Sequence, residues 1–180
     1  MTVESTNIQG LYIVNNFSVT DERGLFTKTY NKNAFEVAKI SFEIRESYFS
    51  ISHRNVIRGM HFQLPPYDHE KLVSVPVGGI LDVVVDLRKN SATYKEHLTV
   101  ELTAQNKKSL FIPKGLAHGF KSLVNDTMTV YNVSTEYNKE ADSGINYDSF
   151  GFNWQLKNPI ISARDKMFPD LHSFCCCNPF

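Results

Sequence analysis

Residues 71–88 read KLVSVPVGGILDVVVDLR. Two runs rich in β-branched residues flank a Gly-Gly pair. Glycine supplies the positive φ of a tight turn, so the stretch predicts a β-hairpin with arms Lys71 to Val77 and Ile80 to Arg88. In the second arm a period of two sets Asp82, Val84 and Asp86 on one face and Leu81, Val83, Val85 and Leu87 on the other. The expectation is a strand with one face sealed in a core and the other carrying carboxylates.

Outward from this stretch the same signal recurs. Short strands are expected at Gly10 to Val19, Gly24 to Tyr30, Arg45 to Ile51, Val56 to Phe62, Leu98 to Leu102, Ser109 to Ile112, Gly119 to Ser122 and Thr127 to Ser134, with turn residues between them. Helix is scarce: one or two turns at Asn33 to Ala38, and a short piece within Ser162 to Leu171 limited by Pro169. Many short strands with regular turns predict an all-β fold, a jelly-roll β-sandwich with a few short helices. No repeat or composition break divides the chain, so residues 1–180 are expected to form one domain, with its core at about 10–172 and a tail at 173–180.

The 19 basic and 19 acidic residues leave no net charge, which removes the electrostatic footprint of a nucleic-acid or anionic-membrane binder. The segment Thr2 to Gln9 is polar, and there is no run of about eighteen apolar residues. Cys175, Cys176 and Cys177 are consecutive and cannot staple distant parts of the chain. A reducing, cytoplasmic setting is expected, with the terminus frayed.

Two of the six histidines, His61 and His118, sit in apolar or glycine-rich strands where a charged ring is costly to bury; His53, His69, His97 and His172 lie in polar stretches. Alternation sets Gly59 on the face of His61, leaving room beside the ring. Residues Pro113 to His118 carry the Pro-x-Gly-x-x-His pattern of the second cupin motif. Metal-binding cupins use His-x-His followed by glutamate, and here Gln63 stands in place of the second histidine. A metal-dependent oxygenase built on His61, His118 and Glu70 is therefore a rival. The leading expectation is no metal and no cofactor.

The ordered motifs Asp21-x-Arg23-Gly24-x-Phe26, Ser50-x-Ser52, Val56-x-Arg58-Gly59-x-His61-Phe62-Gln63, Lys71 and Asp82 to Arg88 resemble those of the dTDP-4-dehydrorhamnose 3,5-epimerases. The resemblance continues through Ser91-x-Thr93-Tyr94, Pro113 to Phe120, Tyr131, Tyr137-Asn138, Gly144-Ile145-Asn146 and Ser162-x-x-Asp165, over nearly the whole chain. It implies an isomerase of nucleotide-linked 4-keto-6-deoxy sugars, whose ketone acidifies the hydrogens on C3 and C5. In that likeness His61 is the base, Asp165 its carboxylate partner, Tyr131 the acid on the opposite face and Lys71 the cation at the C4 oxygen. Arg23 and Arg58 match diphosphate and sugar contacts, Phe26 and Tyr137 enclose the nucleotide, and Gln63, Asp82 and His118 belong to the same pocket. A homodimer with exchanged N-terminal strands is implied as well.

One segment departs from the pattern. Thymidine-binding members commonly carry Gln-x-Asn-x-Ser-x-Ser where this chain has Glu46-Ser47-Tyr48-Phe49-Ser50-Ile51-Ser52. An ionised Glu46 only accepts, and Tyr48 is bulkier than asparagine. The same chemistry on a GDP-linked 4-keto-6-deoxy-heptose is thus an alternative to a dTDP-hexose, with CDP-sugars behind both. Inversion at C3, at C5 or at both is compatible with His61 and Tyr131. A sugar-binding module without catalysis is the third class.

Overall fold

The computed structural model describes residues 1–180. In chain order the strands are β1 (Thr2–Ser5), β2 (Tyr12–Asn15), β3 (Phe17–Asp21) and β4 (Gly24–Lys28), followed by helix α1 (Lys32–Val37). Then come β5 (Glu46–Ser52), β6 (Ile57–Gln63), β7 (Lys71–Val77), β8 (Gly79–Asp86), β9 (His97–Thr103) and β10 (Lys108–Ile112). The chain finishes with β11 (Leu116–Ser122), β12 (Thr127–Val133), β13 (Asp142–Gly144) and the short helices α2 (Ala163–Lys166) and α3 (Leu171–Cys175). A six-stranded sheet, in the order β1-β2-β10-β7-β12-β5, faces a five-stranded sheet, β13-β6-β11-β8-β9, while β3 and β4 form a separate hairpin. This is the expected jelly-roll sandwich.

The stretch 71–88 is not a hairpin. β7 belongs to one sheet and β8 to the other, so Gly78, at φ +79°, turns a corner between the two layers. The positive φ inferred from the glycines is present. The pairing differs because β8 finds its partners far away in sequence, in β9 and β11.

Burial of β8 also differs from a strand with one open face. Val84 packs between the sheets with Val73, Leu110, Ile112 and Phe120, whereas Val83, Val85 and Leu87 pack on the outside with Phe62, Ile145, Trp154 and Leu171. Both faces are sealed, and Asp82 and Asp86 are fully buried. Asp86 is satisfied by Arg88, Ser91 and Thr93. A third cluster sets Phe35, Ile40 and Phe42 around α1 against the outer face of the six-stranded sheet at Val14, Leu72 and Phe111.

The ends of the chain are more ordered than the sequence suggests. The polar start forms β1 on the sheet edge, and Ile8 is fully buried. The expected strand Gly10 to Val19 is divided at Asn16 between two sheets. The terminus is not frayed: Asn178 is buried and donates its amide to the Leu87 carbonyl at 2.6 Å, and Phe180 packs edge-on against Phe62. All three cysteines are free. No helix is long and apolar enough to cross a membrane.

Candidate active site

The two sheets enclose a cavity of about 410 Å³ at one end of the sandwich. The five-stranded sheet contributes Arg58, His61 and Gln63 from β6 and His118 from β11; the six-stranded sheet contributes Glu46 and Tyr48 from β5, Lys71 from β7 and Tyr131 from β12. Tyr137, Asp142 and Arg164 close the rim.

A bulge in β6 sets the first group. His61 pairs with His118 and Arg58 with Phe120, so three steps along β6 match two along β11. Strict alternation would turn Arg58 away from His61; the bulge brings both onto the cavity. Gly59, at φ +131°, makes the close approach possible, since a Cβ there would lie 2.5 Å from the Gly119 Cα. The room that the sequence suggested beside the His61 ring is thus filled by the backbone of β11.

His61 Nε2 lies 2.9 Å from Asp165 Oδ1, and the Gly59 N–H donates to the other oxygen at 3.2 Å. Asp165 is 104 residues from His61 in sequence and is delivered by α2, whose N-cap Ser162 accepts from the Asp165 N–H at 3.0 Å. Burial lowers the His61 pKa, and Asp165 opposes that shift. Burial alone would raise Asp165, but hydrogen bonds from His61 and Gly59 outweigh it and hold the carboxyl below its usual range. The result is a neutral ring oriented by a carboxylate.

A second pair lies deeper. His118 Nε2 is 2.6 Å from Asp82 Oδ1, with both side chains buried. Lys71 spans the space between the sheets and donates from Nζ to the His61 carbonyl at 3.2 Å. Its burial pushes the ammonium pKa down to about 8, partly offset by Asp82 and Asp142. On the facing sheet, buried Tyr131 stacks on its cross-strand neighbour Tyr48 at 4.9 Å between centroids, and burial pushes its phenol far up.

The remaining predicted residues divide clearly. Glu46 and Tyr48 line the cavity; Glu46 accepts from the Tyr137 N–H at 2.7 Å. Arg58 is held by Ser52 and the Ile51 carbonyl. Gln63 is buried, and its amide is engaged by the main chain, donating to Tyr67 O at 2.9 Å and accepting from Asn138 N at 2.6 Å. Asp82 and Asp165 stand behind the histidines they orient. Arg23 and Phe26 lie on the β3–β4 hairpin, exposed and outside the cavity, with Arg23 paired to Asp21.

The rival metal set does not converge. The Glu70 carboxylate is bonded to the Ser134 hydroxyl, His61 and His118 each hold an aspartate, and no group of three or more His, Cys, Asp or Glu side chains is placed to hold an ion. Sequence reasoning missed His69, Asp142 and Arg164. Asp142 ties the rim together, accepting from Arg164 at 2.7 Å and from the Tyr137 hydroxyl at 3.2 Å. The available signals were adjacency to Asp165 for Arg164 and a position two residues before Lys71 for His69.

A family model described as dTDP-4-dehydrorhamnose 3,5-epimerase matches residues 5–173. The chain belongs to that family. The named members of this epimerase family are isomerases. The Shigella flexneri enzyme is 38% identical over 170 residues, covering 92% of this chain and 93% of that protein. The Bacillus anthracis dTDP-4-dehydrorhamnose 3,5-epimerase, solved with TDP and PPi bound, superposes with a TM-score of 0.91 at 36% identity and covers 94% of this chain and 99% of its own. The Legionella pneumophila epimerase, solved in complex with dTDP-4-keto-L-rhamnose, gives a TM-score of 0.89 at 32% identity and covers 95% of this chain and 93% of its own.

Proposed function

We propose that this chain inverts the carbons flanking the ketone of a dTDP-linked 4-keto-6-deoxy sugar. The observation that carries the reading is two-sided: His61 from one sheet, backed by Asp165 of α2, and Tyr131 from the other sheet line one cavity, and Lys71 reaches across it. With Nε2–H donating to Asp165, His61 Nδ1 is the basic atom. It takes a proton from C3 or C5, and the electron pair moves onto the C4 oxygen. The Lys71 ammonium stabilises that enolate more than the starting ketone. Tyr131 returns a proton to the opposite face, the ketone reforms and the centre is inverted. His118, fixed by Asp82, and Arg58 complete the grip on sugar and diphosphate, and Glu46, Tyr48 and Tyr137 shape the nucleotide end.

Relatives named for dTDP-sugars do not favour the GDP-heptose alternative, and one Glu46 oxygen is already engaged by the Tyr137 N–H. The reading includes a cytoplasmic homodimer with exchanged N-terminal strands. Support for the dimer comes from exposed Phe17, Val19, Leu25 and Phe26 on the β3–β4 hairpin and exposed Phe49 and Ile51 on edge strand β5. Exchange would bring Arg23 and Phe26 to the neighbour's cavity. Proton NMR in D2O with dTDP-4-keto-6-deoxyglucose tests the chemistry: loss of the C3 or C5 signal is expected, abolished by His61→Ala. Exchange with a GDP-4-keto-6-deoxy-heptose alone would overturn the nucleotide assignment, and no exchange with either would overturn the reaction.

A further inference from the structure

His69 lines the same cavity as His61, Lys71, His118 and Tyr131, and its Nε2 is buried with no hydrogen-bond partner in the chain. Its protonation follows from groups that cannot change role. The Asn138 main-chain N–H only donates, so the Gln63 atom it meets at 2.6 Å is the carbonyl oxygen. The Tyr67 carbonyl only accepts, so the Gln63 atom 2.9 Å away is the NH2. That same NH2 lies 3.3 Å from the Glu136 carbonyl and 3.1 Å from His69 Nδ1; an amide nitrogen has no lone pair to accept with, so in the hydrogen bond between Gln63 and His69 the acceptor is Nδ1. A neutral imidazole that accepts at Nδ1 carries its proton on Nε2. Burial, with Lys71, Lys114 and His118 nearby, pushes the His69 pKa down to about 3, so the ring stays neutral.

We infer that the His69 Nε2–H is a neutral donor reserved for an oxygen of the bound sugar, a substrate contact beside the Lys71 and His118 cluster. This rests on the sugar-nucleotide reading of the cavity. An unmet buried donor destabilises the free protein, and an acceptor on the ligand removes that penalty on binding. A ring that takes up no proton near neutrality adds a hydrogen bond without a second base that could compete with His61. Gln63 acts as the positioning residue: its amide fixes the tautomer.

Two-bond 1H–15N spectra of the imidazoles test the assignment directly. Expected is a neutral Nε2–H tautomer for His69 from about pH 5.5 to about pH 8. Its Nε2 resonance should move on adding dTDP-4-keto-6-deoxyglucose and stay still with dTDP alone. His69→Ala should raise KM for the sugar nucleotide roughly tenfold with dTDP affinity unchanged. His69→Gln, whose amide also donates, should recover most of that loss. An Nδ1–H tautomer, an equal shift with dTDP alone, or an unchanged KM in a folded His69→Ala protein would overturn the inference. Deuterium exchange by the wild type is scored separately: its absence would sink the epimerase reading while leaving the tautomer and the sugar-induced shift readable.

Discussion

Replacing Gly59 with alanine loads the point on which the catalytic geometry turns. The backbone there is at φ +131°, and the added methyl would lie 2.5 Å from the Gly119 Cα and 2.9 Å from the His118 carbonyl oxygen. Both obstacles are backbone, so no side chain can swing aside. The disfavoured conformation costs about 1–3 kcal/mol. Crowding a packed interior typically adds about 1–3 kcal/mol. The sum is about 2–6 kcal/mol, and at about 2–4 °C per kcal/mol for a chain of this size the midpoint falls by roughly 4–24 °C. Gly151→Ala separates the two costs, because Gly151 is at φ +77° with open space around it. It should lose only about 1–2 kcal/mol. Thermal unfolding followed by circular dichroism, at one protomer concentration, measures both. The Gly59 N–H also holds Asp165 Oδ2, so spreading β6 from β11 loosens the dyad. Deuterium exchange should then fall even well below the unfolding midpoint. A Gly59→Ala midpoint no lower than that of Gly151→Ala would refute the close-approach argument.

Asp165→Asn keeps the side chain's shape and removes the charge that supports His61; the ring becomes a weaker base and exchange should fall by about 10²–10⁴. The folded Asp165 pKa is lowered, so its stabilising contribution is present above the unfolded value and lost as pH falls through the folded one; the Asn variant should show less acid-side loss in pH-dependent unfolding. Wild-type exchange should decline as pH rises through about 8, where Lys71 loses its charge, and Lys71→Met should remove that limb while lowering the rate by about 10²–10³ in a pH–rate profile. Because the folded Lys71 pKa lies below its ordinary value, the same group makes the fold more stable as pH rises from about 8 towards 10.5, which unfolding titrations can read. Deleting residues 178–180 leaves the buried Leu87 carbonyl unpaired and uncovers Phe62; a loss of about 2–4 kcal/mol is expected, seen as a lower denaturant midpoint with exchange retained.

What could be read from the sequence was what local chemistry dictates. Period-two alternation carries the sandwich because each layer needs an apolar face. The ordered motifs carry His61 and Asp165 because the reaction needs those side-chain types, whatever their distance along the chain. Pairing was not local in this sense. A corner and a hairpin both need positive φ at Gly78, and only the long-range partners of β8 distinguish them. Nor could alternation reveal that Arg58 and His61 share a face, because that depends on β11 pressing against Gly59.

His69 shows how a polar neighbourhood can hide a buried ring nitrogen. It lies in a polar stretch between Asp68 and Glu70, yet Asp68 faces Lys114 and Glu70 is bonded to Ser134. Once those charges are satisfied by distant residues, the histidine between them is free to turn inward towards Gln63. The C-terminus behaves in the same way: beyond the cysteine run, where a frayed end is expected, Asn178 and Phe180 close the outer core over β6. In both places the residue that matters is the one whose neighbours' demands are met elsewhere in the fold. A charge-dense stretch next to a recognised strand is therefore best judged by whether the rest of the chain can supply counter-groups, and here Lys114 and Ser134 do.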